Sequence, residues 1–273
     1  MALKQGIHER ITPTVYMADP AISRSDLELV GKAPAFYRWA KSSQDEESSK
    51  AMDLGYAFHT AILEPDLFDT RHVLSQYDEF RTNEAKKWRD GIKAEGKTIL
   101  KKDARDSLLA MAISARQHPK FGEMMRNAYR ELTVVAKHEG TGILRKSRPD
   151  LVPTGKALVD FKSTKDASPE GFGVEVWNYQ YFCQAAHYLD CWNAINDKKK
   201  SEFMFFACEN TPPYLCAVYV TPFELIEYGR KLNNARLYTL AHCLKSNVWG
   251  GYPTEIDEFQ LKPWMQKEIE ATQ

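Results

Sequence analysis

This 273-residue sequence lacks the features that mark several classes of protein. Its apolar runs all fall short of the roughly 18 residues that a membrane-spanning helix needs. The N-terminal segment is polar where a secretory signal would need an apolar stretch, and we find no internal repeat or low-complexity tract. The content of 43% hydrophobic and 27% charged residues is that of an ordinary globular protein. We therefore expect a cytosolic protein with a substantial core and no membrane partner.

An excess of either charge is also missing, because 37 basic and 37 acidic residues cancel. A protein that only coats DNA would usually be basic, so any contact with nucleic acid must come from local patches or from bound metal. The five cysteines contain no C-x-x-C pair. This pattern predicts buried free thiols in a reducing compartment and no iron–sulfur cluster.

The pattern along the chain changes near residue 130. The first part is mainly helical: Ser23 or Ser25 could cap a helix, Pro34 could start another, and the polar segment 42–50 predicts a mobile loop. The second part predicts strands at 131–138, 143–148, 157–163, 203–208 and 214–220, a long amphipathic helix at 174–196 and a last helix at 222–245.

Strands mixed with long helices indicate an α/β fold, in which a central mixed sheet is flanked by helices. We expect a single domain over 1–273. It would comprise a helical part at 1–130, a sheet-containing catalytic core at 131–248 and a C-terminal tail at 249–273.

The strand at 157–163 carries two charged residues among apolar ones. Side chains alternate across a strand, so Asp160 and Lys162 project from the same face. Charged residues rarely occupy a core strand without partners or a metal. The D-x-K pattern is common by chance, however, and a surface ion pair at a strand end is the alternative interpretation.

Asp150 follows Pro149, is separated from Asp160 by nine intervening residues and supplies a second carboxylate. Two carboxylates suit a hard cation such as Mg²⁺, and Lys162 could orient water or offset negative charge at a phosphate. A tight turn would leave Asp150 opposite Ala157, about 10 Å from Asp160. We therefore expect a bend or bulge near Pro149 that brings the two carboxylates together.

Two helices carry further candidates. Tyr181, Gln184 and Tyr188 share one face of the 174–196 helix, where the alternative is an amphipathic helix that tolerates a glutamine. His59 follows Gly55 by one turn, and a glycine inside a helix costs about 1 kcal/mol relative to alanine. We expect another segment or a ligand to approach closely there, although a lone histidine is often simply a core residue.

Taken in order, these elements resemble the RecB-type branch of the PD-(D/E)xK nucleases, and within it the RecE-type nucleases. The branch motifs correspond to Gly55, His59 and Leu63-Glu64, then Pro149-Asp150, Asp160-Phe161-Lys162, and Gln184 with Tyr188. Longer similarities cover most of the chain, from about 20 to 265: ISRSDL at 22–27, PAFYRW at 34–39, DLGYAF at 53–58, LEP at 63–65, RTN at 81–83, SRPD at 147–150 and the segment 178–188.

The resemblance implies a Mg²⁺-dependent exonuclease, with Mn²⁺ able to replace Mg²⁺, that degrades the 5′ strand of double-stranded DNA and leaves 3′ overhangs. It implies a single-strand annealing protein as partner, a role in phage or prophage recombination in the bacterial cytoplasm, and a ring-shaped homotetramer. The catalytic residues would be Asp150, Asp160, Lys162, Gln184 and Tyr188. The metal ligands would be His59, Asp150, Asp160, the Phe161 carbonyl and, less directly, Glu131.

Several positive or aromatic residues are candidate DNA contacts, although a solvated surface position is the alternative for each charge. They are Arg81, Lys86, Lys87, Arg145, Arg148 and Tyr181. Three other functions remain open: a RecB-like nuclease acting on another DNA substrate, an inactive nuclease-fold protein that binds DNA or assists assembly, and an α/β protein that matches the motifs by accident.

Overall fold

A computed structural model describes residues 2–43, 50–256 and 258–271. The N-terminal part contains β1 (Gly6–His8), α1 (Pro13–Ala18), α2 (Arg24–Lys32) and α3 (Pro34–Ser42). Ser23 caps α2: its hydroxyl accepts from the Asp26 amide, and the Asp26 carboxylate accepts from the Ser23 amide. This confirms Ser23 over Ser25 as the cap. Most of the loop expected at 42–50 lies outside the described residues.

The next segment is also mainly helical, as the sequence predicts. It contains α4 (Lys50–Leu63), a 3₁₀ turn (Pro65–Leu67), α5 (Phe68–Arg71), β2 (His72–Leu74), α6 (Asn83–Ala94), β3 (Thr98–Leu100), α7 (Lys102–Gln117) and α8 (Phe121–Met125). The short strands β2 and β3 pair in parallel. The sequence pattern predicts neither of these two strands.

The remainder of the chain carries the main sheet. Its elements are β4 (Tyr129–Arg130), β5 (Thr133–Lys137), β6 (Leu144–Ser147), β7 (Leu151–Val152), β8 (Ala157–Thr164), α9 (Pro169–Asn178), α10 (Tyr181–Ile195), β9 (Glu202–Glu209), β10 (Cys216–Val220), α11 (Phe223–Ser246) and α12 (Pro263–Glu270). Among the described residues, no helix is both long enough and apolar enough to cross a membrane.

The sheet is mixed, which confirms the predicted fold class. Five strands run in the order β10-β9-β8-β7-β4, with β8 and β9 parallel and the other pairs antiparallel. A second sheet has the order β1-β5-β6. Its edge strand β1 comes from the N-terminal segment, where the sequence pattern had predicted no strand.

Helices cover both faces of the five-stranded sheet. On one face, Val159 and Phe161 pack with residues of α4, α7 and α8. On the other face, Leu158 packs with Phe205 and with residues of α9 and α10. Because side chains alternate along β8, Asp160 and Lys162 lie on the α10 side. The sheet is therefore the middle layer of a three-layer sandwich, with two charged residues facing α10.

Two predicted elements differ from the structure. The helix expected at 174–196 is interrupted at Gln180, whose φ of 50° is left-handed, so α9 and α10 are separate and α11, with 24 residues, exceeds both. The strand expected from Glu131 begins at Thr133, because Glu131 has a φ of 48° and cannot continue a strand. Both interruptions depend on tertiary contacts that periodicity does not encode.

Candidate active site

Asp150 and Asp160 lie opposite each other on neighbouring strands. Leu151 pairs with Val159 in the antiparallel β7–β8 ladder, so Asp150 comes level with Asp160. The turn between the strands is longer than expected, and this shifts the register by three residues from the predicted one. The chain also leaves the smaller sheet after Ser147 and enters the larger one at Leu151. An interruption at Pro149 is thus present, but the register itself aligns the carboxylates.

Asp150 is held from two sides. Its Oδ2 accepts a hydrogen bond of 2.6 Å from the Phe161 amide, and its Oδ1 lies 3.2 Å from His59 Nδ1. Burial lowers the pKa of His59, but the acidic groups of Asp150, Asp160 and Glu131 together outweigh burial, and the net shift is upward. Outside its own helix, no atom of the described residues lies within 4 Å of a Cβ placed on Gly55, so the close approach of another described segment that was expected there is wrong.

Asp160, Lys162 and Gln184 form one connected group. Gln184 Nε2 donates to Asp160 Oδ1 at 2.5 Å, and Lys162 Nζ donates to Gln184 Oε1 at 2.9 Å. Lys162 Nζ also lies 2.6 Å from Asp160 Oδ2, as an ion contact without hydrogen-bond angles. Burial raises the pKa of Asp160, and the charge of Asp150 raises it further, while Lys162 opposes both. The glutamine therefore fixes the acid and the lysine relative to each other.

Aromatic rings of α10 complete this group. The Tyr181 ring lies under Lys162, with Nζ 4.5 Å from the ring centroid, a cation–π contact. Burial raises the pKa of Tyr181 to about 12. Tyr188 follows Gln184 by one turn of α10, and burial raises the pKa of Tyr188 well above the usual range. The structure thus brings together the predicted Asp150, Asp160, Lys162, Gln184, Tyr188 and Tyr181.

A small cavity of about 190 Å³ adjoins Asp150. Inside it, Arg148 Nη2 contacts Glu131 Oε2 at 3.0 Å, and burial raises the pKa of Glu131. Helix α1 closes one side of the cavity through Tyr16. The Tyr16 carbonyl accepts a hydrogen bond of 2.6 Å from Lys146 Nζ. Sequence reasoning missed Tyr16, and no local motif marks it. The lining residues are Pro13, Tyr16, Met17, Tyr56, His59, Glu131, Arg148 and Asp150.

The chemistry of these side chains fits a divalent cation, although their present arrangement does not enclose one. Within 2–43, 50–256 and 258–271, no three His, Cys, Asp or Glu side chains are gathered to hold a metal. Asp160 Oδ2 and His59 Nδ1 are nonetheless buried polar atoms without a hydrogen-bond partner. Carboxylate oxygens are the ligands that Mg²⁺ prefers. A cation would have to compete with Lys162 for Asp160.

Comparison with known proteins adds an independent test of this assignment. The model of a family described as a PDDEXK-like domain of unknown function matches residues 25–262. The chain belongs to this PDDEXK-like family. The match covers most of the chain and confirms the nuclease-fold family that the motifs predict. A comparison with curated protein sequences finds no match.

Solved structures agree at the level of the fold. A candidate exonuclease from Eubacterium rectale has 15% sequence identity and a TM-score of 0.60, over 91% of this chain and 97% of that one. A phage-related exonuclease from Haemophilus somnus 129PT has 11% identity over 85% of this chain and 99% of that one. Its TM-score of 0.38 indicates a much weaker structural similarity. The first similarity supports the PDDEXK-like fold.

The remaining candidate DNA contacts are scattered in the structure. Arg81 is exposed just before α6, and Lys86 and Lys87 are exposed on that helix, with no contact to the site. Arg145 is only 5% exposed, so the structure does not support it as a phosphate contact. Arg148 does face the cavity beside Asp150, although Glu131 already contacts its guanidinium.

Proposed function

We propose that this PDDEXK-like chain is a Mg²⁺-dependent nuclease that hydrolyses DNA phosphodiesters. The observation that carries the proposal is the pairing of two buried carboxylates, Asp150 and Asp160, across neighbouring strands, with Lys162 joined to Asp160 and Gln184. Charges are costly to bury, and two carboxylates close together repel each other. A cation bound between the two carboxylates would offset both the cost of burial and the repulsion, which supports a metal site here.

Asp150 and Asp160 would hold the cation, with His59, Glu131 and the Phe161 carbonyl as further ligands. A bound divalent metal supplies Lewis acidity toward a phosphate oxygen and lowers the pKa of water. His59 already restrains Asp150 through Oδ1, while the Phe161 amide restrains the other oxygen. These contacts hold the carboxylate in one orientation before any ligand arrives, which is the preorganisation that catalysis requires.

Lys162 would act on the substrate itself. Its ammonium has three N–H donors, and Asp160, Gln184 and the ring of Tyr181 surround it on three sides. Once a cation bound the Asp160 carboxylate, a phosphate entering the site could take one of the N–H donors that Asp160 now occupies. Lys162 would then hold a water or offset the negative charge that develops on the phosphate. Tyr188, one turn later on α10, would support Gln184 by packing beside it.

The finer role follows from the sequence resemblance to RecE-type nucleases. We propose a 5′-to-3′ double-stranded DNA exonuclease, acting as a single domain in the bacterial cytoplasm, whose 3′ overhangs serve a single-strand annealing protein in recombination. A homotetrameric ring would keep the enzyme on its substrate without a strongly basic surface. The motifs at 53–65 and 147–162 support this role, as does the description of the E. rectale structure as a candidate exonuclease.

Digestion of linear duplex DNA, labelled separately at the 5′ and 3′ ends, tests both levels of the proposal. We expect release of 5′ nucleotides with Mg²⁺ and none with EDTA, while circular DNA is spared. Cleavage of circles or of single strands would retain the nuclease and refute the exonuclease role. An absence of cleavage with every divalent metal would leave a DNA-binding or assembly module instead.

Substitution of one carboxylate locates the reaction. Asp160→Ala should abolish cleavage and leave DNA binding, because it removes a metal ligand without altering the surface. Asp190→Asn is the matched control: Asp190 lies on α10 and pairs with Arg230 at 2.8 Å, outside the site. The control should cleave normally. Residual activity in Asp160→Ala comparable to the control would contradict the assignment.

A further inference from the structure

The interruption between α9 and α10 presents an aromatic side chain to solvent beside the site. Tyr179, the last residue before Gln180, is 58% exposed. Its ring stacks on Tyr181, with centroids 5.6 Å apart and planes at 25°. Tyr181 in turn lies 4.5 Å below Lys162 Nζ. An exposed aromatic ring is therefore connected to the proposed catalytic lysine through one intervening ring.

The backbone around Tyr179 is held in place at some conformational cost. Gln180 has a φ of 50°, a left-handed conformation that costs a non-glycine residue about 1 kcal/mol or more. Arg24 donates to the carbonyls of Tyr179 and Gln180, and Arg236 Nη2 donates to Gln180 Oε1 at 2.7 Å. Because two arginines bind it, this junction is an ordered part of the structure and not a frayed helix end. It holds Tyr179 at one position with one ring face covered by Tyr181.

We propose that Tyr179 is a stacking platform for an unpaired base of the DNA strand whose phosphate lies at Lys162. The inference rests on the proposed nuclease function. Bases stack on aromatic side chains irrespective of sequence, because every base has a π face. A base inside a duplex has both faces covered by its neighbours. Only a base that has separated from its partner, or the first base of a single strand, can occupy Tyr179.

The charges around the platform suit this occupant. Lys162 lies over the Tyr181 ring and Arg24 donates to the Tyr179 carbonyl, so two cationic groups lie close to the tyrosine pair, where they would meet a phosphate backbone. Acidic groups are present as well: after burial, Glu175 and Asp160 raise the pKa of Tyr181, and Glu28 pairs with Arg24 at 2.7 Å. The substrate class that follows is a duplex DNA end whose terminal bases have separated next to the scissile phosphate. A second copy of the chain could also cover an exposed ring, and the experiment separates the two occupants.

Binding without cleavage tests the platform directly. A fluorescein-labelled oligothymidylate is titrated with protein in EDTA at constant salt, and the anisotropy is recorded for wild type, Tyr179→Ala and Tyr179→Phe. Loss of one stacked base should weaken binding roughly 5- to 150-fold in Tyr179→Ala. Tyr179→Phe retains the ring and should bind like wild type. Tyr238→Ala is the control, because Tyr238 is 56% exposed and also has one ring neighbour, His138.

The outcomes distinguish this inference from the proposed function. Equal affinity of wild type, Tyr179→Ala and Tyr238→Ala would overturn the platform. A smaller oligomer of Tyr179→Ala than of wild type in sedimentation, with affinity unchanged, would also overturn it in favour of a second copy. In cleavage of linear duplexes, Tyr179→Ala should raise KM with little change in kcat, and a duplex with an unpaired end should be a better substrate for wild type only. A wild type that binds oligothymidylate through Tyr179 but cleaves nothing would refute the nuclease and retain the platform.

Discussion

The most informative single substitution in the site is Gln184→Leu, because Gln184 links the acid to the lysine. The side chain is 7% exposed and makes two hydrogen bonds, 2.5 Å to Asp160 and 2.9 Å to Lys162. Leucine has a similar volume and neither donates nor accepts. The substitution therefore removes the link and leaves the packing of α10 against the sheet.

The magnitude follows from the charged partners. A hydrogen bond to a charged group contributes about 1.5–3 kcal/mol. Asp160 and Lys162 retain each other at 2.6 Å, so we expect the free energy of unfolding to fall by about 2–4 kcal/mol rather than by the full sum of two such bonds. If these hydrogen bonds lower the free energy of the transition state by about 2–3 kcal/mol, their loss should reduce kcat about 30- to 150-fold.

The assay pairs urea unfolding with steady-state cleavage of linear duplex DNA in Mg²⁺. Asn193→Leu is the control, because Asn193 also lies on α10 and makes two hydrogen bonds of 2.8 Å, to the backbone of Lys200 outside the site. We expect the control to lose about 1–2 kcal/mol of stability and to keep its kcat. A Gln184→Leu enzyme that is destabilised but turns over at the wild-type rate would refute the coupling and leave the glutamine a purely structural role.

Three further predictions concern stability and the lysine. His72 is buried with no partner for either ring nitrogen, and burial lowers its pKa to about 4. The unfolded chain therefore binds the proton more readily, and the free energy of unfolding falls as pH drops from about 6.5 toward 4. Between pH 7.5 and 5, His72→Phe should lose about 1–2 kcal/mol less of this free energy than wild type in urea unfolding. Equal losses would contradict this. Gly229→Ala should lower the thermal midpoint of unfolding, because the added Cβ would lie 2.5 Å from the Phe182 carbonyl oxygen. Gly55→Ala should raise or preserve that midpoint, because alanine favours a helix more than glycine does. The opposite order would show that packing does not decide the effect at these two positions. Lys162→Met should lower kcat by several orders of magnitude while calorimetry still detects metal binding; unchanged turnover would exclude a catalytic lysine.

The predicted and observed sites differ most in how the two carboxylates meet. The sequence identifies Asp150 and Asp160 as candidates through P-D and D-x-K, but a tight turn would have left them about 10 Å apart. The structure pairs Leu151 with Val159, and Lys200 Nζ binds the carbonyls of Pro153 and Gly155 within the longer turn. The length of this turn and its contact with a lysine distant in sequence are both features that no local pattern reveals.

The α9–α10 junction illustrates the same limit. The apolar periodicity of 174–196 is compatible with one helix, and both resulting helices do form there. The interruption arises because Arg24 and Arg236, from two other helices, hold the left-handed Gln180 through its carbonyl and its side chain. Helical periodicity measures only which residues can share a face, so it does not detect a break that is imposed from outside.

The sequence by itself determined the alternating pattern of β8, the candidate acids and lysine, and the family, because each depends on residue type and short spacing. Tertiary structure alone decided that Asp150 faces Asp160, that Gln184 joins Asp160 to Lys162, that Tyr16 closes the cavity and that Tyr179 stands exposed beside the site. These features depend on strand register and on contacts between distant segments, and the free energy that selects them comes from packing the whole chain rather than from any local stretch.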